Sequence, residues 1–257
     1  MQYTIQLFKT GAVDVPAPEV YWMCRFGEWT RLQFLMAVIR GGGKTIVLNT
    51  GFPADIGPLA KAWRDFLGER AVLERPPEWT PQIALPAAGI DPASVDHVLL
   101  SPIQLYATGN LRMFPNAKFC VSRKGWIEDI LAPTYHHHVP RQGCISDEDL
   151  FWLLDSRADR LLLLDDVQEL LPGLTCRWIG VHHRSSFTTE VETASGRVIL
   201  SDCAFHYANV EDNIPLGIAE SIIEADAAYR HIRQTADVFI PLYDPLVWER
   251  HPEGRIA

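Results

Sequence analysis

The chain has 257 residues, 47 % of them apolar and 21 % charged, which suits one α/β domain with a well-buried core (residues 1–257) and excludes a disordered or fibrous chain. A net charge of −9 leaves no basic face for phosphate, so a nucleic-acid partner is not expected. No apolar run approaches the roughly 18 residues that span a bilayer, and residues 1–8 lack a basic stretch followed by an apolar core. A cytoplasmic location without a membrane partner is therefore expected. Cys24, Cys120, Cys144, Cys176 and Cys203 are scattered and show no CxxC spacing, as expected for reduced thiols inside a cytosolic protein.

The chain opens with runs rich in β-branched and aromatic residues at Tyr3–Phe8, Val20–Phe26 and Leu32–Ile39. They predict strands joined by hairpins, with Gly41–Lys44 as a turn into a strand Thr45–Asn49. That turn lacks the spaced glycine and Lys-Ser/Thr of a phosphate loop. Asn49-Thr-Gly-Phe-Pro53 leads into helical spacing over Ile56–Leu67. Asp91 with Pro92 predicts a capped helical turn before a strand Val95–Leu100. Further strands are expected at Lys118–Val121, Leu161–Leu164, Thr175–Val181, Phe187–Glu192, Arg197–Ser201 and Val238–Pro241, and helices at Arg123–Leu131 and Ile218–Thr235. Strands grouped first, then strands and helices mixed in two halves, predict two packed sheets with helices outside.

The stretch Val98–Val121 carries Ser101-Pro-Ile-Gln-Leu-Tyr-Ala-Thr-Gly-Asn-Leu-Arg-Met-Phe-Pro-Asn-Ala117. It resembles the segment of the metallo-β-lactamase superfamily, in its lactonase-like branch, that holds the metal signature His-x-His-x-Asp-His. Pro102, Gln104, Tyr106 and Ala107 stand where that family has His, His, Asp and His. Four more marks follow in order. Leu48-Asn-Thr-Gly-Phe52 is similar to the family's Asp-Thr-Gly turn, with Asn49 for Asp. Gly180-Val-His-His-Arg-Ser-Ser186 places His182 on the third metal-binding histidine. Gly196–Asp202 matches the strand whose final Asp bridges two metals, and Pro241-Leu-Tyr-Asp-Pro245 puts Tyr243 on the last histidine. The resemblance implies an αββα sandwich, two mixed β-sheets packed face to face with helices outside.

Of the seven ligand positions so implied, only His182 and Asp202 keep a ligand-type side chain. Zinc needs three or four His, Cys, Asp or Glu ligands, and a neutral tyrosine is a poor one at pH 7. No metal and no other cofactor is therefore expected. His182 and His183, taken as neighbours on a strand, would point to opposite faces and not share a metal, and likewise Asp202 and Cys203. His136-His137-His138 reads as a polar loop, or as a lid that contributes to the pocket. Ser101 and Ser185 read as turn residues and Cys203 as a buried, inert thiol.

The resemblance places Gln104, Tyr106, His182, Asp202 and Tyr243 together at the end of the sandwich. A histidine beside a carboxylate serves as a general base. Two tyrosine hydroxyls donate to an oxyanion in the role of the missing Lewis acid, and Gln104 orients a polar group. His137, His138, Phe205 and His206 are the candidate substrate contacts. Trp22, Trp29, Trp79, Trp126, Trp152 and Tyr135 are candidates to line an apolar pocket, though each also suits a core or interface.

The leading expectation is a metal-independent, lactonase-like hydrolase, or a related proton-transfer enzyme, for a small cyclic or aromatic carbonyl compound. The alternatives are a non-catalytic module binding a small molecule or a protein partner, and a metallohydrolase with a rearranged single-metal site drawing on His136–His138 and His206. The helix Ile218–Thr235 and the N-terminal strands offer a homodimer contact.

Overall fold

A computed structural model describes residues 2–132, 141–155 and 159–256. Among the described residues, twelve strands build two mixed sheets. In chain order they are β1 (Thr4–Pro16), β2 (Trp29–Gly41), β3 (Lys44–Leu48), β4 (His97–Leu99), β5 (Lys118–Ser122), β6 (Leu161–Leu164), β7 (Val167–Leu171), β8 (Leu174–Trp178), β9 (Phe187–Thr193), β10 (Gly196–Ser201), β11 (Val238–Pro241) and β12 (Arg255–Ile256). The seven-stranded sheet runs β12-β1-β2-β3-β4-β5-β6 and the five-stranded sheet β11-β10-β9-β8-β7. Pairing in the first changes from antiparallel to parallel at β3–β4, and in the second β10–β11 is parallel while β7–β8, β8–β9 and β9–β10 are antiparallel.

The pleat sorts side chains into layers. On β3, Ile46 and Leu48 enter the core between the sheets, while Val47 faces the other way, into a second core with Val98, Phe119, Trp126 and Ile130 under the helices. A third core lies outside the five-stranded sheet, where Ile199 packs against Ala225, Tyr229 and Ile232 of the helix Ile222–Thr235. The expected αββα sandwich is present. No helix among the described residues is long and apolar enough to cross a membrane.

Several local expectations hold. Asp91 accepts from Ala93 N and caps a short 3₁₀ turn at Pro92–Ser94, and Gly42 and Gly43, at φ 60° and 72°, close a plain β2–β3 hairpin. Others need correction. Val20–Phe26 is not a strand: residues 17–20 form one helical turn and Met23 and Arg25 take φ of 54° and 56°, which no strand contains. The real strand is β1, which continues through a bulge at Lys9/Gly11 as far as Pro16. The helix expected from Ile218 starts at Ile222, because Ser221 caps it by accepting from Glu224 N. The strand expected to reach Val181 stops at Trp178, ahead of Gly180 at φ 67°.

One glycine fixes how the segment after β4 docks. Gly109 N donates to Gly51 O at 3.0 Å, and a Cβ there would lie 2.1 Å from Pro53 N. Backbone cannot yield as a flexible side chain does, so Gly109→Ala is expected to cost about 1–3 kcal/mol, measured as a lower urea midpoint at unchanged slope.

Candidate functional site

The chain leaves β4 through Leu100 and reaches Ser101, fully buried and held by Asn49. Asn49 takes φ 63°, a conformation asparagine tolerates, and its amide bonds both sides of Ser101: Nδ2 donates to Ser101 O and Oδ1 accepts from Ser101 N, each at 2.9 Å. The side chain at position 49 thus acts as a structural clip between the turn after β3 and the turn after β4.

Asp202 follows β10 and is completely buried. Its Oδ1 accepts from Ser101 Oγ at 3.0 Å, and its Oδ2 accepts from Ser186 Oγ at 2.5 Å and faces His182 Nδ1 at 3.1 Å. A carboxylate only accepts, so Nδ1 carries the imidazole proton and Nε2 keeps the lone pair. Ser101 Oγ in turn accepts from Phe187 N at 2.9 Å, and Ser186 Oγ from His183 N at 3.1 Å. Burial, reinforced by neighbouring His183, lowers the His182 pKa to about 4 against the pull of Asp202.

His182 packs edge-on against Phe205 at 4.7 Å, and Phe205 against Tyr243 at 4.7 Å. Tyr243 continues to Tyr106 at 6.1 Å and Phe34 at 4.9 Å, and Phe34 to Phe52 and Trp63 at 5.0 and 5.5 Å. Tyr243 is 2 % exposed, and its hydroxyl, set toward Tyr106, forms no hydrogen bond of good geometry among the described residues. Burial first, and then the nearby negative charge of Asp202, hold Tyr106 well above the ordinary tyrosine range. Burial does the same to Tyr243, with smaller pushes from Tyr106 and Asp202. Both phenols are neutral donors at pH 7.

The expected residues are therefore partly gathered. His182, Asp202, Tyr106, Tyr243 and Phe205 share one centre. Gln104 is buried and spends its amide Nε2 on Cys144 Sγ at 3.3 Å. His206 commits both ring nitrogens inside the fold, Nδ1 accepting from the Tyr21 hydroxyl at 2.7 Å and Nε2 donating to Arg31 O at 2.9 Å. Neither nitrogen is left to meet a substrate. His136, His137, His138 and Tyr135 lie outside the described residues.

Four corrections concern individual residues. His182 and His183 are not on a strand but in the turn after Gly180, and their rings approach to 4.0 Å. Ser101 and Ser185 are more than turn residues: both are wholly buried, and Ser185 Oγ accepts from Ile103 N at 2.9 Å. Asp129, on a π-helical turn Trp126–Leu131, is a buried residue that no motif or spacing in the sequence signals. Its Oδ2 accepts from Ser185 N at 2.8 Å, and burial raises its pKa. Of the tryptophans that were candidates to line the pocket, Trp22 is 44 % exposed, Trp126 belongs to the second core and Trp152 packs on Phe119. Trp79 lies beneath Lys9 and Trp29 beneath Arg70. Trp63 is the tryptophan in the aromatic cluster, and the i, i+4, i+8 series Leu59, Trp63, Leu67 was the available signal. Burial pushes the Cys203 thiol up to about 12, so it is inert.

No protein-family model matches the sequence, and no curated protein matches it significantly. Solved structures do match. An N-acyl homoserine lactone hydrolase with the product N-hexanoyl-L-homoserine at its catalytic metal centre shares 16 % identity over 100 % of both chains, at TM-score 0.80. A probable metal-dependent hydrolase from Staphylococcus aureus shares 15 % identity over 95 % of this chain and 90 % of its own, at TM-score 0.71. A dizinc quorum-quenching lactonase in complex with a product shares 14 % identity over 95 % and 88 %, at TM-score 0.63.

A two-metal centre does not fit the side chains present here. Pro102 and Ala107 offer no donor, the two phenols are held protonated, and both oxygens of Asp202 already accept hydroxyl protons. Among the described residues no group of three or more His, Cys, Asp or Glu is arranged to hold a metal ion. The chain shares with these hydrolases a metallo-β-lactamase-type αββα fold, here built around a hydrogen-bonded Ser–Asp–His centre.

Proposed function

We propose that the chain, acting as one domain, is a metal-independent hydrolase for a small cyclic or aromatic carbonyl compound, a lactone above all. The observation that carries this reading is the fixed His182–Asp202 pair, its carboxylate anchored by Ser101 and Ser186, beside a Tyr243 hydroxyl that is set toward Tyr106 and makes no hydrogen bond of good geometry among the described residues. His182 Nε2 accepts a proton from water as its oxygen adds to the carbonyl carbon. Asp202 keeps the tautomer and stabilises the imidazolium formed. Tyr243 and Tyr106 donate to the oxyanion, replacing the Lewis acid of the fold's metal-dependent relatives. Phe205 and the Phe34–Trp63 pair supply the apolar wall. The proton on His182 then passes to the departing alkoxide, which leaves a hydroxy acid and the free base.

The test follows hydrolysis of γ-butyrolactone, N-hexanoyl-L-homoserine lactone and phenyl acetate by pH-stat. The protein is treated with EDTA and shown to hold less than about a tenth of an equivalent of zinc, iron or manganese, where a working site needs near-full occupancy. Turnover is expected to persist, to decline on the acid side near pH 4, where His182 protonates, and to fall about 10²–10⁴-fold in His182→Gln. Undiminished turnover in that variant would refute the assignment of the base.

A second reading, a binding module without turnover, is favoured by the weak basicity that burial imposes on His182. Its signature is saturable binding of the same compounds with no product. Activity that returns only with added zinc would support the third, metal-dependent reading.

A further inference from the structure

A cleft of about 340 Å³ opens at the β11 edge of the five-stranded sheet, and none of its lining residues belongs to the centre around His182. Its walls come from the short helix Tyr207–Glu211, the end of the helix Ile222–Thr235, β11 and the turn Val247–Arg250. The floor is apolar, made by Val210, Ile232, Phe239 and the ring of Tyr207. Tyr207 and Phe239 meet at right angles, 6.3 Å between centroids.

Two charged groups there are under-used, beside a buried hydroxyl. Tyr207 is 3 % exposed, and its hydroxyl, closed off from the cleft, has no hydrogen-bond partner among the described residues. Arg233 reaches Val210 O at 2.8 Å and Asn213 Oδ1 at 2.9 Å, with no carboxylate in ion-pair range among the described residues. Asp237 accepts from the backbone N of Arg197 at 2.7 Å and likewise has no cation in ion-pair range. The other charges on the rim cancel, since Arg250, lying 3.7 Å over the Tyr207 ring, is bound by both oxygens of Glu211.

We propose that this cleft binds a small zwitterion with an apolar side chain, an α-amino acid of hydrophobic type. Arg233 receives its carboxylate, Asp237 its ammonium group, and Phe239 its side chain, beside the edge of Tyr207. A simple carboxylate would leave Asp237 facing an apolar tail, and a simple amine would leave Arg233 unmatched. The volume lies at the small end of ligand pockets, which suits an amino acid rather than a nucleotide or a long acyl chain.

Calorimetric titration of the full chain with L-leucine and L-phenylalanine tests this. One-site saturable binding is expected, weakened at least about tenfold for 3-phenylpropionate, which lacks the ammonium group, and for phenethylamine, which lacks the carboxylate, since each loses a charge-assisted hydrogen bond. Arg233→Gln and Asp237→Asn are expected to weaken it similarly. Tyr207→Phe serves as the control for the cleft's wall. It is expected to leave the Tm of the unliganded protein unchanged or raised, because the lost hydroxyl has no partner among the described residues, and to leave binding unchanged, because that hydroxyl is closed off from the cleft. His182→Gln is expected to bind normally, which keeps this site distinct from the proposed reaction. Absence of heat with both amino acids up to about 10 mM, far above the Kd of an ordinary specific site, would overturn the proposal. Undiminished binding by the Arg233 and Asp237 variants would overturn it equally.

Discussion

Asp202→Ala is expected to lower the unfolding free energy by about 3–5 kcal/mol, the largest effect of any single substitution at the centre. The carboxylate receives hydrogen bonds from Ser101 and Ser186 and faces His182 Nδ1, and Asp202, Ser101 and Ser186 are wholly buried. Each buried donor left without an acceptor costs about 1–3 kcal/mol. Two effects keep the total below the sum. Ser101 Oγ has a second acceptor, Phe187 O, at 3.1 Å, and the space freed by the carboxylate can take one water among several donors. Asp202→Asn is a sharper probe. Its amide can donate to Ser101 Oγ once that hydroxyl turns to Phe187 O, while the remaining oxygen serves Ser186 and His182. A loss of only about 1–2 kcal/mol is therefore expected for Asn. Urea denaturation of wild type and both variants measures the difference. If Ala and Asn proved equally mild, the carboxylate would not organise its neighbours as the geometry requires.

Which parts of this centre the sequence disclosed follows from how far apart its members lie. Local period was readable: Ile46, Val47 and Leu48 alternate as the pleat demands, and Asp91-Pro92 announces its cap. The order of the marks around Asn49, Ser101, His182, Asp202 and Tyr243 carried the fold, which neither composition nor periodicity would have done. The partners of Asp202 were hidden. Ser101 lies 101 residues away and Ser186 16 residues away, and both sit in Ser-Pro or Ser-Ser contexts whose local chemistry is that of turns. The turn is real, but its hydroxyls face inward, a fact of tertiary packing. Val20–Phe26 misled for the opposite reason. Its aromatic content suggests a strand, whereas Trp22, Met23 and Phe26 are exposed on a loop. His206 looked like a site residue by its closeness to Asp202 in sequence, yet Tyr21 and Arg31, from the N-terminal strands' side of the fold, take both its nitrogens.

Stability is expected to fall as pH drops from 6.5 toward 4, with His182 the largest single contributor. In the fold this imidazole is 4 % exposed and its pKa is lowered from 6.5 to about 4. Above pH 6.5 both folded and unfolded chains hold it neutral, and its full contribution to stability is present. Between 6.5 and about 4 the unfolded chain binds a proton that the folded chain refuses, so the unfolded state gains with every step down. Below about 4 both states are protonated and the loss is complete, at about 3 kcal/mol for a shift of this size. His97, His206 and His251 are lowered by burial too and act in the same direction. Asp129, raised by burial, opposes them, because the folded state takes up its proton first as pH falls. His182→Gln isolates the dominant part. Its amide still donates to Asp202 but does not titrate, so the variant is expected to lose much of the acid-side slope even though it is less stable at pH 7. The measurement is the urea midpoint of both proteins at half-unit steps between pH 7 and pH 4. Parallel curves would mean that His182 titrates as it does in water, and that the fold does not hold its imidazole in the neutral form on which the proposed base depends.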